Sequence, residues 1–216
     1  MFVTGVHAQL LNEIGFFAGG TNYSGDIGNE TFIAPNRLGG GIVYKRNVNT
    51  RLTLRSSLSV LPIADSDANS SNIVRKQRGY SFSNTLYEVA MGLEFNYFEY
   101  DITSTDRTAT PYLLFEFAGF YYQTVTSATN TQYNYSGKVA YAIPFGIGYK
   151  SKITRNLGYV LELKARYTLE DDLDYYNDRI QSLNFGNPDT NDWYFFTGVS
   201  LVYSFGRPRC AVSPRY

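Results

Sequence analysis

Apolar and polar side chains alternate with period two along much of this chain, in eight segments near residues 12–20, 36–46, 50–60, 84–98, 111–122, 138–150, 158–169 and 192–205. Successive side chains of an extended strand point to opposite faces, so each segment predicts a β-strand with two unlike surfaces. The segment at 158–169 is the clearest: Tyr159, Leu161, Leu163, Ala165, Tyr167 and Leu169 alternate with Val160, Glu162, Lys164, Arg166 and Thr168. In the fourth, Tyr87, Val89, Met91, Leu93, Phe95 and Tyr97 oppose Glu88, Ala90, Gly92, Glu94 and Asn96. Arg46 excepted, every charge inside the eight segments falls on the second kind of phase, alongside glycine, alanine and serine.

Alternation does not by itself say which face meets water. A soluble barrel of lipocalin type turns its apolar face inward, and a soluble sandwich would leave the ionic face in solvent. An eight-stranded barrel, however, has an interior just wide enough for side chains. Rows of Phe, Tyr, Leu and Ile from all eight strands would overfill it, whereas Gly15, Gly39, Gly41, Gly92, Gly146, Gly148, Gly198 and Ser200 on the opposite phase fit a narrow lumen. The reading is therefore an inside-out barrel. Glu13, Glu88, Glu94, Glu116 and Glu162 are then expected to pair in the lumen with Arg37, Arg51, Arg55, Lys164 and Arg166, because buried charges need partners.

Strand length agrees, since about 10 residues at about 3.3 Å, tilted by about 40°, rise about 25 Å, the height of the apolar band of outer-membrane barrels. The connections near 47–49, 99–110 and 151–157 are short, and those near 21–35, 61–83, 123–137 and 170–191 are long. That strict alternation predicts an all-β fold: an eight-stranded antiparallel transmembrane β-barrel of the bacterial outer-membrane type. Short turns and both termini would be periplasmic and the long loops extracellular. Residues 1–8 read as the remnant of a signal peptide, with Val6 and Ala8 in the small-x-small arrangement before a cleavage point, 9–205 as the barrel and 206–216 as a periplasmic tail.

Composition narrows the chemistry. The 216 residues carry 19 basic and 19 acidic side chains, so there is no net charge to favour nucleic acid. Aromatic residues make up 17% of the chain, 20 of them tyrosines, whose apolar ring and polar tip suit strands and the water–lipid boundary. One cysteine permits no internal disulfide, and His7, the one histidine, would leave with the leader. His-based catalysis, a metal centre and a bound cofactor are thus not expected, and no small-molecule substrate is implied. A barrel enzyme with catalytic groups at its rim, lipocalin-like binding and a passive pore remain as alternatives.

Particular strings, beyond periodicity, resemble a known family. NEIGFFAGGTNYSGDIG (12–28), IAPNRLGGGIVYKRN (33–47), RKQRGYSFSN (75–84), GLEFNYFEYD (92–101), AIPFGIGYK (142–150) and FTGVSLVYSFGRPRC (196–210) are similar to the PorG barrels of the type IX secretion and gliding-motility machinery. The resemblance implies a protein-transport role without a reaction: an outer-membrane barrel that anchors the periplasmic ring built from PorK and PorN, GldK and GldN in gliding species.

Cys210 follows the last strand. A lone cysteine in an exported chain points to pairing with another chain, and on the resemblance the partner is the ring lipoprotein. Arg207 and Arg209 could meet acidic groups of the ring, and the turns at 101–110 and 151–156 are further contact candidates. Asp65, Asp67, Asp171, Asp172, Asp174 and Asp178 in the long loops could hold calcium or act as acid and base, although solvated loop acids are the simpler reading. Arg75, Lys76 and Arg78 could meet lipopolysaccharide phosphates or a translocon protein, against ordinary solvation. Gly39–Gly41 lies inside a strand rather than a phosphate loop, which suggests close packing.

Overall fold

The computed structural model describes residues 11–28, 31, 33–101, 108–129, 132–175, 180 and 191–206. Eight antiparallel strands run in chain order around a closed barrel: β1 (Leu11–Ser24), β2 (Arg37–Asn47), β3 (Leu52–Ser66), β4 (Ser81–Asn96), β5 (Ala109–Thr129), β6 (Gln132–Lys152), β7 (Leu157–Thr168) and β8 (Trp193–Phe205). The ring closes where β1 pairs with β8, from Asn12 opposite Phe205 to Ser24 opposite Trp193. Every predicted strand is present, with ends shifted by a few residues.

The largest difference is at the third long connection. Residues 123–129 and 132–137, expected to be loop, extend β5 and β6, because the β-branched and aromatic pattern through Thr124, Val125, Tyr133 and Tyr135 continues the strands past a register shift between Val125 and Ser127.

The apolar phase faces out. Phe16, Met91, Phe115, Phe117, Ile147 and Val199 all stand on the exterior, each more than half exposed. A contiguous apolar surface of this kind is rare on soluble monomers and is matched to lipid. Tyrosines and the one tryptophan bound it: Tyr87, Tyr121, Tyr141 and Trp193 toward the long-loop rim, and Tyr44, Tyr97, Tyr149 and Tyr203 toward the short-turn rim. Among the described residues no helix is long and apolar enough to cross a membrane.

The inward phase forms the core. Glycine is required where the walls come closest: a Cβ on Gly41 would lie 2.0 Å from the Leu58 carbonyl oxygen, and one on Gly92 2.1 Å from that of Phe115. The lumen is nevertheless not lined by small residues alone. Phe17, Leu86, Phe120, Tyr122, Tyr194 and Phe196 point inward and are buried, and they form the apolar upper half of the interior. Ile27 and Leu173, from the first and last long loops, tuck into the mouth and complete that cluster.

Candidate functional site

Below the apolar half the lumen is ionic. Glu13, Glu88, Glu94, Glu116 and Glu162 are buried together with Lys45, Arg55, Lys150, Lys152, Lys164 and Arg166, five acids among six bases, and Glu13 accepts from the Asn47 side-chain amide at 2.6 Å instead of pairing with one of the expected arginines. Lys45 Nζ lies 2.7 Å from Glu94 Oε2, and Lys150 bonds the other oxygen of that carboxylate. Arg55 reaches from β3 across the interior to β7, donating to both oxygens of Glu162 at 2.5 and 3.0 Å. Its Nε lies 3.3 Å from Glu116, and Glu94 is 3.7 Å from Nη1. Lys164 donates to Glu116 at 2.7 Å. Arg166 grips Glu88 in a fork at 2.8 and 3.1 Å, and the Tyr194 hydroxyl donates to the same carboxylate at 2.7 Å. Tyr112 fills the space between, donating to Glu162 at 2.6 Å with Lys45 and Lys150 each 5.4 Å from its ring centre.

The sequence placed two arginines here wrongly. Arg37 shares the inward phase but sits at the first position of β2, at the long-loop rim, and is exposed. Arg51 lies in the turn before β3 and makes a loose surface pair with Glu99 at 3.6 Å. In each case the strand ends before the phase can bury the side chain. Lys45 and Lys150, on the same phase as the glycines and glutamates, stand where those arginines were expected. The sequence signal for Lys45 is its position two residues beyond Val43 on that phase. Cys210, Arg207, Arg209, His7 and Asp178 lie outside the described residues, as do residues 102–107 of the second turn.

The long loops are built more tightly than their acids and bases suggested. A short helix, α1 (Ile73–Arg78), begins at Asn72, whose side chain accepts the Val74 amide, and ends at Gly79 in the left-handed region at φ 71°. Asp67 is buried and takes Arg78 at 2.7 and 2.9 Å, the Tyr80 amide at 3.0 Å and the Gly28 amide at 3.1 Å. Burial alone would raise its carboxyl, but Arg78 and these amides hold it below the ordinary range. Arg75 donates to the carbonyls of Gly25 (3.1 Å) and Gly28 (3.3 Å). Asp67 is therefore not a solvated loop acid, and Arg75 and Arg78 are ties between the first and second loops rather than free cations.

In the last loop, burial and the neighbouring Asp26, Asp174 and Asp172 push the Asp171 carboxyl up to about 7. Asp192, beside the start of β8, is pushed up by burial and by Asp174. Among the described residues no group of three acids, histidines or cysteines is arranged to hold a metal ion.

Comparison with known proteins adds a family and a fold. A family model described as Domain of unknown function (DUF6089) matches residues 1–214. No curated protein matches the chain. Among solved structures, the N-terminal β-barrel domain of Pseudomonas aeruginosa OprF is 13% identical with a TM-score of 0.50, over 90% of this chain and 97% of that one. A major outer membrane protein from Thermus thermophilus is 14% identical with a TM-score of 0.50, over 91% of this chain and 99% of that one. At these identities the likeness is one of fold. The apolar exterior on this fold places the chain in the bacterial outer membrane.

Proposed function

The chain belongs to the family described as Domain of unknown function (DUF6089), and we propose that it is a non-enzymatic structural barrel that holds part of a protein-secretion assembly at the outer membrane. The observation that carries this reading is the filled lumen. Paired charges occupy its lower half, aromatic and aliphatic side chains its upper half, and Ile27 and Leu173 its mouth. A passive pore needs an open aqueous path along the axis, so the surfaces left to act are the two rims. The finer assignment rests on the resemblance to the PorG barrels: the short-turn rim and the tail would carry the periplasmic PorK/PorN (GldK/GldN) ring, with Arg207 and Arg209 facing acidic groups and Cys210 bonded to the lipoprotein.

Detergent extraction of native cells with tagged protein should recover the PorK-like lipoprotein. Recovery of the barrel without it would remove the assigned role. On non-reducing electrophoresis a slower band should vanish with Cys210→Ser, and an unchanged pattern would remove the disulfide while leaving the anchoring role to the co-purification. Planar bilayers should show no sizeable conductance, and a large one would overturn the filled-lumen premise.

A further inference from the structure

The long-loop rim contains a cleft that neither the lumen nor the lipid belt uses. The β4–β5 ladder stops above the Tyr87–Tyr121 pair. Higher up, the Asn84 side chain spans the gap, donating to the carbonyls of Gln123 (2.7 Å) and Leu173 (3.1 Å) and accepting the Gln123 amide (3.3 Å). The space left between the β3–β4 and β5–β6 hairpins is a cleft of about 800 Å³, within the range of small-ligand sites.

Its floor is apolar, with Ile27, Phe82 and Val125 buried. Its walls are tyrosines mixed with serine hydroxyls and the amides of Asn36 and Asn69. Tyr133 and Tyr135 are 40% and 53% exposed there. Tyr175 crosses from the last loop with φ at 71°, a region that a bulky residue occupies only where its surroundings hold it. Its hydroxyl donates to the Ser83 carbonyl at 2.6 Å, and its ring meets Tyr135 edge-on at 5.4 Å. Arg37, displaced from the lumen, stands at the edge, exposed and with its guanidinium unpaired among the described residues.

We propose that this cleft binds a saccharide bearing an acidic group, with sugar rings against Tyr133 and Tyr135, hydroxyls on the serine and asparagine groups, and the acid on Arg37. Tyrosine rings offer flat apolar area beside a polar edge, which suits a ring whose faces are C–H and whose rim is hydroxyl. The uncharged hydroxyl and amide lining suits a ligand with many hydroxyls. Asp65 and Asp174 also line the cleft and repel an acid, which leaves Arg37 as the one cation of the described lining able to meet it. A peptide added as a strand is the poorer fit, because the β4 edge is already covered: Tyr175 takes the Ser83 carbonyl, and the Thr85 amide donates to Asn84 Oδ1 at 3.0 Å.

Outer-leaflet glycolipid and free oligosaccharide both carry this chemistry. The test is calorimetric titration of the full chain in lipid nanodiscs with a uronic-acid tetrasaccharide and, separately, with dispersed lipopolysaccharide. The tetrasaccharide should bind, and Arg37→Gln and Tyr135→Ala should each weaken it about tenfold, the loss of one charge-assisted hydrogen bond or of one stacking face. Arg51→Gln, at the opposite rim, should leave binding unchanged, and each variant should keep the electrophoretic shift of a folded barrel. The same losses with lipopolysaccharide alone would also support the site and name the membrane's own glycolipid as the source. No binding in either arm, binding indifferent to Arg37→Gln, or preference for an acidic peptide would overturn it.

Discussion

Arginine removal from three depths of the barrel should separate buried from exposed ion pairs. Arg166 and Glu88 are each buried, and Arg166 is the one cation within 4.0 Å of that carboxylate among the described residues. At an effective dielectric near 20 a contact of about 3 Å represents roughly 5 kcal/mol of attraction, which desolvation of both groups largely offsets. Arg166→Met removes the attraction and leaves Glu88 buried, so the cost should be about 5 kcal/mol, the upper end for breaking a buried pair. Arg55→Met should cost less, about 3 kcal/mol. Each glutamate it leaves keeps a lysine: Glu116 at 2.7 Å and Glu162 at 3.5 Å from Lys164, and Glu94 beside Lys45 and Lys150. Arg51→Met breaks the exposed pair with Glu99 and a surface hydrogen bond to the Tyr97 carbonyl at 3.2 Å, and should fall within about 0.5 kcal/mol of wild type. The assay is denaturant unfolding in phospholipid vesicles, followed through Trp193 in the girdle. Adding Glu88→Gln to Arg166→Met should recover about 2 kcal/mol, since the stranded charge is gone. Equal costs for Arg166→Met and Arg51→Met, or no recovery in the double variant, would refute the picture of a dry ionic lumen.

Three further outcomes follow from the exterior, the walls and the loops. Phe117→Arg, in the lipid belt where the ring stacks on Tyr141 at 5.7 Å, should cost about 2–4 kcal/mol in the same vesicles, and a neutral effect would contradict the lipid-facing assignment. Gly92→Val has no room, its first added carbon meeting the Phe115 carbonyl at 2.1 Å, so the band shift of a folded barrel should be lost on electrophoresis. Retention of that shift would mean that the β4–β5 approach is looser than described. Asp171, with its carboxyl near 7, holds its proton in the folded state from about pH 4 to pH 7 while an unfolded aspartate has lost it. Its contribution is therefore fully present below about pH 4 and is lost as pH rises through 7. Hydrogen exchange in residues 168–175 should be faster at pH 8 than at pH 5 after correction for intrinsic rates, and Asp171→Asn should flatten the difference; slower exchange at pH 8 would reverse the sign.

What could be read from the chain and what could not divides along one physical line. Strand number and inward phase are local properties, carried by a period of two, whereas the third long connection is taken up by the β5–β6 hairpin and breaks the expected alternation of short and long connections. Pairing across the lumen is not local. Arg55 and Glu162 stand on β3 and β7, 107 residues apart and not neighbours in the sheet, so their meeting depends on strand stagger around the barrel. Phase also says nothing about where a strand ends, which is why Arg37 and Arg51 were placed inside. The inward aromatics Tyr112, Tyr194 and Phe196 share their phase with charges, where a narrow lumen leads one to expect small residues. They are accommodated because cations lie over them, Arg166 at 5.2 Å from the Tyr194 ring centre and 5.9 Å from that of Phe196. The Asp67–Arg78 clamp joins two residues whose meeting is set by the loop between them, and no period marks it.

The paired charges also bear on how this barrel finds its register. Their net contribution to stability is small, because desolvation offsets attraction, and apolar residues of equal volume would serve stability as well. Their effect on wrong states is large. A one-residue slip of β7 against its neighbours would turn Glu162, Lys164 and Arg166 toward lipid and bring Leu161, Leu163 and Ala165 inward. Lysine and arginine on the lipid face near the midplane cost about 2–4 kcal/mol each, and Glu88 and Glu116 would be stranded in the lumen at the same time. The same holds for β4, where Glu88 and Glu94 alternate with Tyr87, Val89, Met91, Leu93 and Phe95. β4 and β7 thus carry charge patterns that are nearly neutral in the correct register and heavily unfavourable one residue away, which favours a single closed arrangement of the barrel in lipid.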